Sequence, residues 1–134
     1  ILNHLAQIKQ KFEHERTIMS KATVTRFRDK RSHFSTSKEA YIWLLNRFFE
    51  SKPNVLEGDA FDALLMPLGA KRRYFGRTPV EMFAHNPGLA ENPNNYYRLA
   101  NALYADVNLS NDRKLRNLRD FAKVIGLREG LDWE

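Results

Sequence analysis

The strongest constraint on the fold of this chain is the run from Thr36 to Asn54. Thr36, followed three residues later by Glu39, has the form of a capping box, in which a hydroxyl and a carboxylate each satisfy an orphan amide at a helix start. Behind it Tyr41, Leu44, Leu45, Phe48 and Phe49 recur at helical spacing, and Ile42 and Trp43 widen the stripe. Ser51, Lys52, Pro53 and Asn54 stop the run. A helix this apolar must be covered on most of its surface, so it is predicted to be the central core helix. With 134 residues, 43% of them hydrophobic, the chain suffices for one core and is short for two. A single domain is therefore expected, with an N-terminal helix and basic connector over 1–34 and a core over 35–134.

The remaining elements are predicted as cover for that helix. Leu2, Leu5, Ile8 and Phe12 share one face of a first helix that runs to Met19. From Lys21 to Phe34 the periodicity fades while basic residues accumulate, which reads as a basic connector or an irregular helix. A third helix is expected from Glu57 to Leu68, with Phe61, Leu64 and Leu65 inward. Tyr74 and Phe75 read as a short strand, and Thr78 and Pro79 as N-cap and first residue of a short helix containing Val80, Met82 and Phe83. Asn86 to Asn95 is dense in Asn, Pro and Gly and reads as an exposed, mobile loop. Leu103, Ala105, Val107 and Leu109 alternate with Tyr104, Asp106 and Asn108, the pattern of a half-buried strand. Ser110 or Asn111 caps a last helix whose apolar side is Leu115, Leu118, Phe121, Ala122 and Ile125, with Gly126 at its C-terminal cap and Trp133 folding back on the core. The expected class is α+β, mainly helical. A small two- or three-stranded sheet from the Arg73 and Leu103 regions packs on the helices containing Leu44 and Leu118.

The formal charge of +6 and the pI of 9.7 favour polyanions over acidic proteins and neutral metabolites. The absence of cysteine excludes disulfides, thiolate zinc sites and cysteine nucleophiles, and fits a reducing cytoplasm. No apolar run approaches the roughly 20 residues of a membrane span, and no leader pattern is seen, so no membrane partner is expected. Because the chain starts at Ile1 and not at Met, an excised domain is expected, with self-association carried by a segment missing from it. The four histidines, His4, His14, His33 and His85, lack metal-ligand spacing. Glu13 with Glu15 and Glu57 with Asp59 stand two residues apart, which on a helix turns the carboxylates away from each other. Phosphate-loop and serine-elbow motifs are missing. The expectation is a protein that is not an enzyme and carries no cofactor or metal.

Two basic constellations remain. Lys71, Arg72 and Arg73 enter a strand, with Arg77 beyond it, and on extended backbone Arg72 faces away from its two neighbours. An arginine fork at such a place suits phosphate or a guanine edge. Asn108, Leu109, Ser110, Asn111, Asp112, Arg113 and Lys114 span a strand end and the first turn of a helix. Helix-start amides attract phosphate and Asn side chains suit adenine, although Asp112 competes for the same amides.

These loops, in this order, resemble those of the SeqA family, bacterial proteins that bind hemimethylated GATC sites and delay replication re-initiation. Gly69, Ala70, Lys71, Arg72, Arg73, Tyr74 and Phe75 stand where that family has Gly-Arg-Thr-Arg, an aliphatic residue, Tyr and Phe. Asn108 to Lys114 stand where it has Asn-Thr-Asn-Thr-Gly-Arg-Lys. The resemblance extends from Ser37 to Leu127. It implies a nucleoid-associated modulator of replication or transcription that binds duplex DNA in the major groove, with Arg72, Asn108 and Asn111 nearest the bases and Lys71, Arg73, Arg113 and Lys114 on phosphates. Ala70, Lys71 and Ser110 depart from the family at reading positions, which implies a target sequence of its own. Two alternatives belong to other classes. Tyr74, Phe75, Tyr96, Tyr97 and Tyr104 near basic residues suit single-stranded RNA if they are exposed, and scattered charge suits a helical protein-interaction domain.

Overall fold

The computed structural model describes residues 24–56 and 72–134. The helices expected over residues 2–19 and 57–68, and Lys71, lie outside the described residues. In chain order the elements are β1 (Val24–Phe27), β2 (Lys30–His33), α1 (Ser37–Ser51), a 3-10 turn (Pro53–Leu56), β3 (Phe75–Gly76), α2 (Pro79–Met82), 3-10 turns at Pro87–Glu91 and Pro93–Asn95, β4 (Tyr96–Arg98), β5 (Tyr104–Asp106) and α3 (Asn111–Ile125). Helices and small antiparallel sheets make it an α+β fold.

Helix α1 is the centre, as its width of apolar surface predicts. Thr36 Oγ1 accepts from Glu39 N at 3.2 Å, but the Glu39 carboxylate accepts from Ser35 Oγ at 3.0 Å, so only half of the capping box forms. Tyr41, Leu44, Leu45, Phe48 and Phe49 are buried. The Phe48 ring meets Phe121 and Trp133 edge-on at 5.3 and 5.4 Å, and Phe49 meets Phe121 at 4.6 Å. Edge-to-face contacts of this kind add to the burial that orders an aromatic core. Helix α3 supplies the opposing face with Leu118, Phe121, Ala122 and Ile125. Gly126 closes α3 at φ 79°, a left-handed conformation that glycine adopts without strain.

The predicted contact between the Arg73 and Leu103 regions is a three-stranded sheet in the order β3-β5-β4. Phe75 pairs with Ala105 on one side and Tyr97 pairs with Ala105 on the other. The alternating run holds as a burial pattern, since Leu103, Ala105 and Val107 are inside, but the ladder covers only Tyr104–Asp106. Asp106, expected on the polar side, is 2% exposed. The 3-10 turns at Pro87–Glu91 and Pro93–Asn95 occupy most of the expected open loop, Asn95 there is buried, and β4 follows directly after it.

A hairpin corrects the basic connector. β1 and β2 pair from Val24↔His33 to Phe27↔Lys30, with Arg28 at φ 55° in the turn. Thr25 and Phe27 point inward, a period-two signal masked by the basic residues between and after them. The chain end adds to the free edge of β1: Glu134 N donates to Arg26 O at 3.0 Å and Arg28 N to Asp132 O at 2.6 Å. That strand-like return places Trp133, 1% exposed, against Phe48. None of the described helices is long and apolar enough to cross a membrane.

Candidate nucleic-acid interface

The site is built where β3 and the β5–α3 junction meet. Gly76 lets β3 run close over α2, since a Cβ there would lie 2.9 Å from Met82 Cβ. Thr78 caps α2 through Glu81 N at 3.1 Å, and Pro79 follows at the first helical position. These features hold His85 beside the residue that leads into β3. On the other side Ser110 caps α3 by accepting from Arg113 N at 3.1 Å, which fixes the direction in which Arg113 leaves the first turn.

Asp106 joins the two basic stretches. Arg72 Nη1 lies 2.8 Å from Asp106 Oδ2, and Asn108 N donates to Asp106 Oδ1 at 3.2 Å. Arg72 also meets His85 Nε2 at 3.0 Å through the same Nη1, which leaves Nη2 as a donor. The Tyr74 ring sits between two guanidinium groups, Arg72 at 4.3 Å and Arg113 at 5.0 Å, both in cation–π range. Burial raises the Asp106 carboxyl above the ordinary carboxylate range, and the Arg72 cation opposes that rise. Partial desolvation, then the Arg72 charge, lower the His85 imidazole. Arginine, tyrosine, arginine and asparagine thus form one cationic, amide-bearing surface around one buried acid.

No protein-family model, curated protein or solved structure matches the chain. What the surface does is therefore argued from its own chemistry.

The residues singled out in the sequence divide into groups. Arg72, Asn108 and Arg113 come together. Arg73, just ahead of β3, pairs with Glu81 at 3.0 Å. Arg77 is exposed in the turn after β3. Leu109 packs against the core, and Ser110 is spent as a cap. Asn111 Oδ1 accepts from Ser37 Oγ at 2.7 Å. Lys114 is withdrawn from the surface: it is 9% exposed, and its ammonium donates to Ser37 Oγ at 3.1 Å. Asn108 Nδ2 donates to Asn95 Oδ1 at 2.8 Å, and Asn95 is held in turn by Leu89 O at 3.1 Å. One amide hydrogen and the carbonyl of Asn108 remain for another partner. Asp106, His85 and Asn95 were not singled out. Asp106 lies on β5, outside both basic runs, and the sequence marked it only as a polar position of the alternating strand. Among the described residues no group of three or more His, Asp or Glu side chains is placed to hold a metal.

Proposed function

We propose that the chain is a duplex DNA-binding domain related to the SeqA family, acting in the major groove as a sequence- or methylation-sensitive modulator of replication or transcription on the nucleoid. The observation that carries the reading is the shared carboxylate: Arg72 and Asn108, 36 positions apart in sequence, meet the two oxygens of Asp106. A polyanion reaching one basic loop therefore reaches the other. Arg72 and Asn108 are the base-reading pair, because a fork donor held by Asp106 and an amide held by Asn95 are both oriented before DNA arrives. Arg113 contacts phosphate from beside Tyr74. Tyr74 is 7% exposed beneath the two arginines and Phe75 is 1% exposed, so of the five rings that would suit single-stranded RNA only Tyr97, at 45%, is largely exposed, short of the run of stacking faces such a ligand needs.

The test is a fluorescence-anisotropy titration of methylated, hemimethylated and unmodified duplexes against single-stranded RNA at low and high salt. The reading requires duplex binding that is tighter than RNA binding and falls with salt. Equal affinity for both polymers, or no salt-dependent binding, removes it.

A further inference from the structure

A second site lies on the other side of the α3 first turn. A cleft of about 300 Å³ is lined by Ala40, Leu44, Leu115 and Leu118, with Trp133 at its side and Ser37, Asn111 and Lys114 at one end; Glu134 also lines it, its carboxylate held on Arg26 Nε at 3.0 Å. Lys114 is the unusual member. Its side chain is nine-tenths buried, yet among the described residues no carboxylate pairs with it. Among the described residues its one hydrogen bond is to Ser37 Oγ, whose own proton goes to Asn111 Oδ1. The serine is thereby fixed as an acceptor, and two ammonium hydrogens are left over. Burial lowers the Lys114 pKa, and the neighbouring Lys38 charge lowers it further. Trp133 adds a second orphan, since its indole N–H is buried and has no hydrogen-bond partner among the described residues. Buried donors without acceptors are rare in folded proteins, and a buried ammonium without a counter-ion is rarer.

We propose that this cleft binds a small amphiphilic carboxylate, its anionic head on Lys114 and Asn111 and its compact apolar body against Leu44, Leu115, Leu118 and Trp133. The charge arithmetic favours a monoanion, because the Glu134 carboxylate in the lining is already balanced by Arg26, which leaves the Lys114 ammonium to be balanced by one carboxylate of a ligand. The volume suits a molecule the size of a phenyl-substituted or medium-chain acid and is at the lower end of ordinary ligand pockets. The site is independent of the DNA reading, since it uses neither Arg72 nor Asn108.

Trp133 reports directly on occupancy. In a Trp43→Phe background, which leaves Trp133 as the single indole of the chain, 3-phenylpropionate should change the emission saturably. The matched alcohol, 3-phenylpropan-1-ol, should bind about tenfold more weakly or worse, the effect of losing a charge-assisted hydrogen bond. Hexanoate against hexan-1-ol repeats the comparison with a flexible body. Lys114→Met, which keeps the length of the stem, should erase the preference for acid over alcohol. Equal binding of acid and alcohol to the unmodified cleft reduces it to an apolar groove and overturns the proposal, as does a linear, unsaturable response. That comparison needs no lysine variant, so it stands even if Lys114→Met does not fold.

Discussion

Replacing Arg72 by Met tests the Asp106 junction through stability, without any DNA. Met keeps an apolar stem over the Tyr74 ring while it removes the guanidinium 2.8 Å from a carboxylate whose side chain is 3% exposed. Removing one partner of a buried pair typically costs about 3 to 5 kcal/mol. Protonation sets a ceiling on that cost, because a stranded Asp106 can take up a proton. For a carboxyl of ordinary pKa about 3.9, neutralisation at pH 7 costs about 4 kcal/mol, and at pH 5 only about 1.5 kcal/mol. Loss of the cation–π contact adds about 0.5 to 1 kcal/mol at either pH.

The sign follows from the direction of the Asp106 shift. Its folded pKa is raised by burial against the pull of Arg72, and without Arg72 it rises further. Stability from a group with a raised folded pKa is complete below its unfolded pKa and is lost as pH climbs through the folded value. The Arg72→Met penalty should therefore be near the ceiling at pH 7 and smaller by about 1.5 kcal/mol or more at pH 5. The lowered His85 works in the same direction, since burial still lowers its pKa in the variant but the Arg72 share of the lowering is gone, so the imidazolium forms more readily as pH falls; a His85→Gln background separates the two contributions. Urea unfolding of both chains at both pH values gives the numbers. A penalty that is equal at the two pH values, or larger at pH 5, would show that Asp106 is not a carboxylate held by Arg72.

The other expectations concern the same surface. Asn108→Ala should lower discrimination between the preferred duplex and a scrambled one by about 1 to 3 kcal/mol in competition titrations; unchanged discrimination would count against base reading by this residue. Arg113→Ala should weaken binding to every duplex and reduce the slope of log affinity against log salt by about 0.9, the mark of one lost phosphate contact. Lys114→Met should leave that slope where it is, because the ammonium is buried on Ser37. Gly76→Ala pushes a Cβ to 2.9 Å from Met82 Cβ and should destabilise by about 1 to 3 kcal/mol in thermal or urea unfolding.

How much could be read beforehand differs between fold and site. Helices α1 and α3 were legible because their periodicity, caps and stops agree: Thr36 and Ser110 accept from the amides three residues on, and Gly126 takes the left-handed cap. Sheet partners were legible where apolar residues alternate, at Leu103, Ala105 and Val107. The β1–β2 hairpin was not. Only Thr25 and Phe27 face the core, its exposed strand Lys30–His33 carries no apolar residue, and its turn uses Arg28 at positive φ where Gly or Asn is usual. What holds that hairpin is tertiary: backbone bonds to Asp132 and Glu134, and the Arg26 guanidinium on Glu134 Oε2 at 3.0 Å and on Gly130 O at 2.8 Å.

The site was half legible for a related reason. Arg73, in irregular backbone ahead of β3, pairs with Glu81, which the sequence did not single out. Strand alternation assigns Asp106 to the solvent side, and there it fails, because the β5 face that should be wet is covered by Arg72 and by the Tyr96–Tyr104 ring pair at 5.7 Å. A carboxylate is tolerated under that cover only with its lone pairs engaged, and its two oxygens meet the guanidinium of one loop and the backbone N–H of the other. Asp106 therefore ties Arg72 to the start of the second loop, one oxygen on the Arg72 guanidinium and the other on the Asn108 backbone N–H. An apolar residue at position 106 would leave both loops basic and remove the contact that ties Arg72 to Asn108.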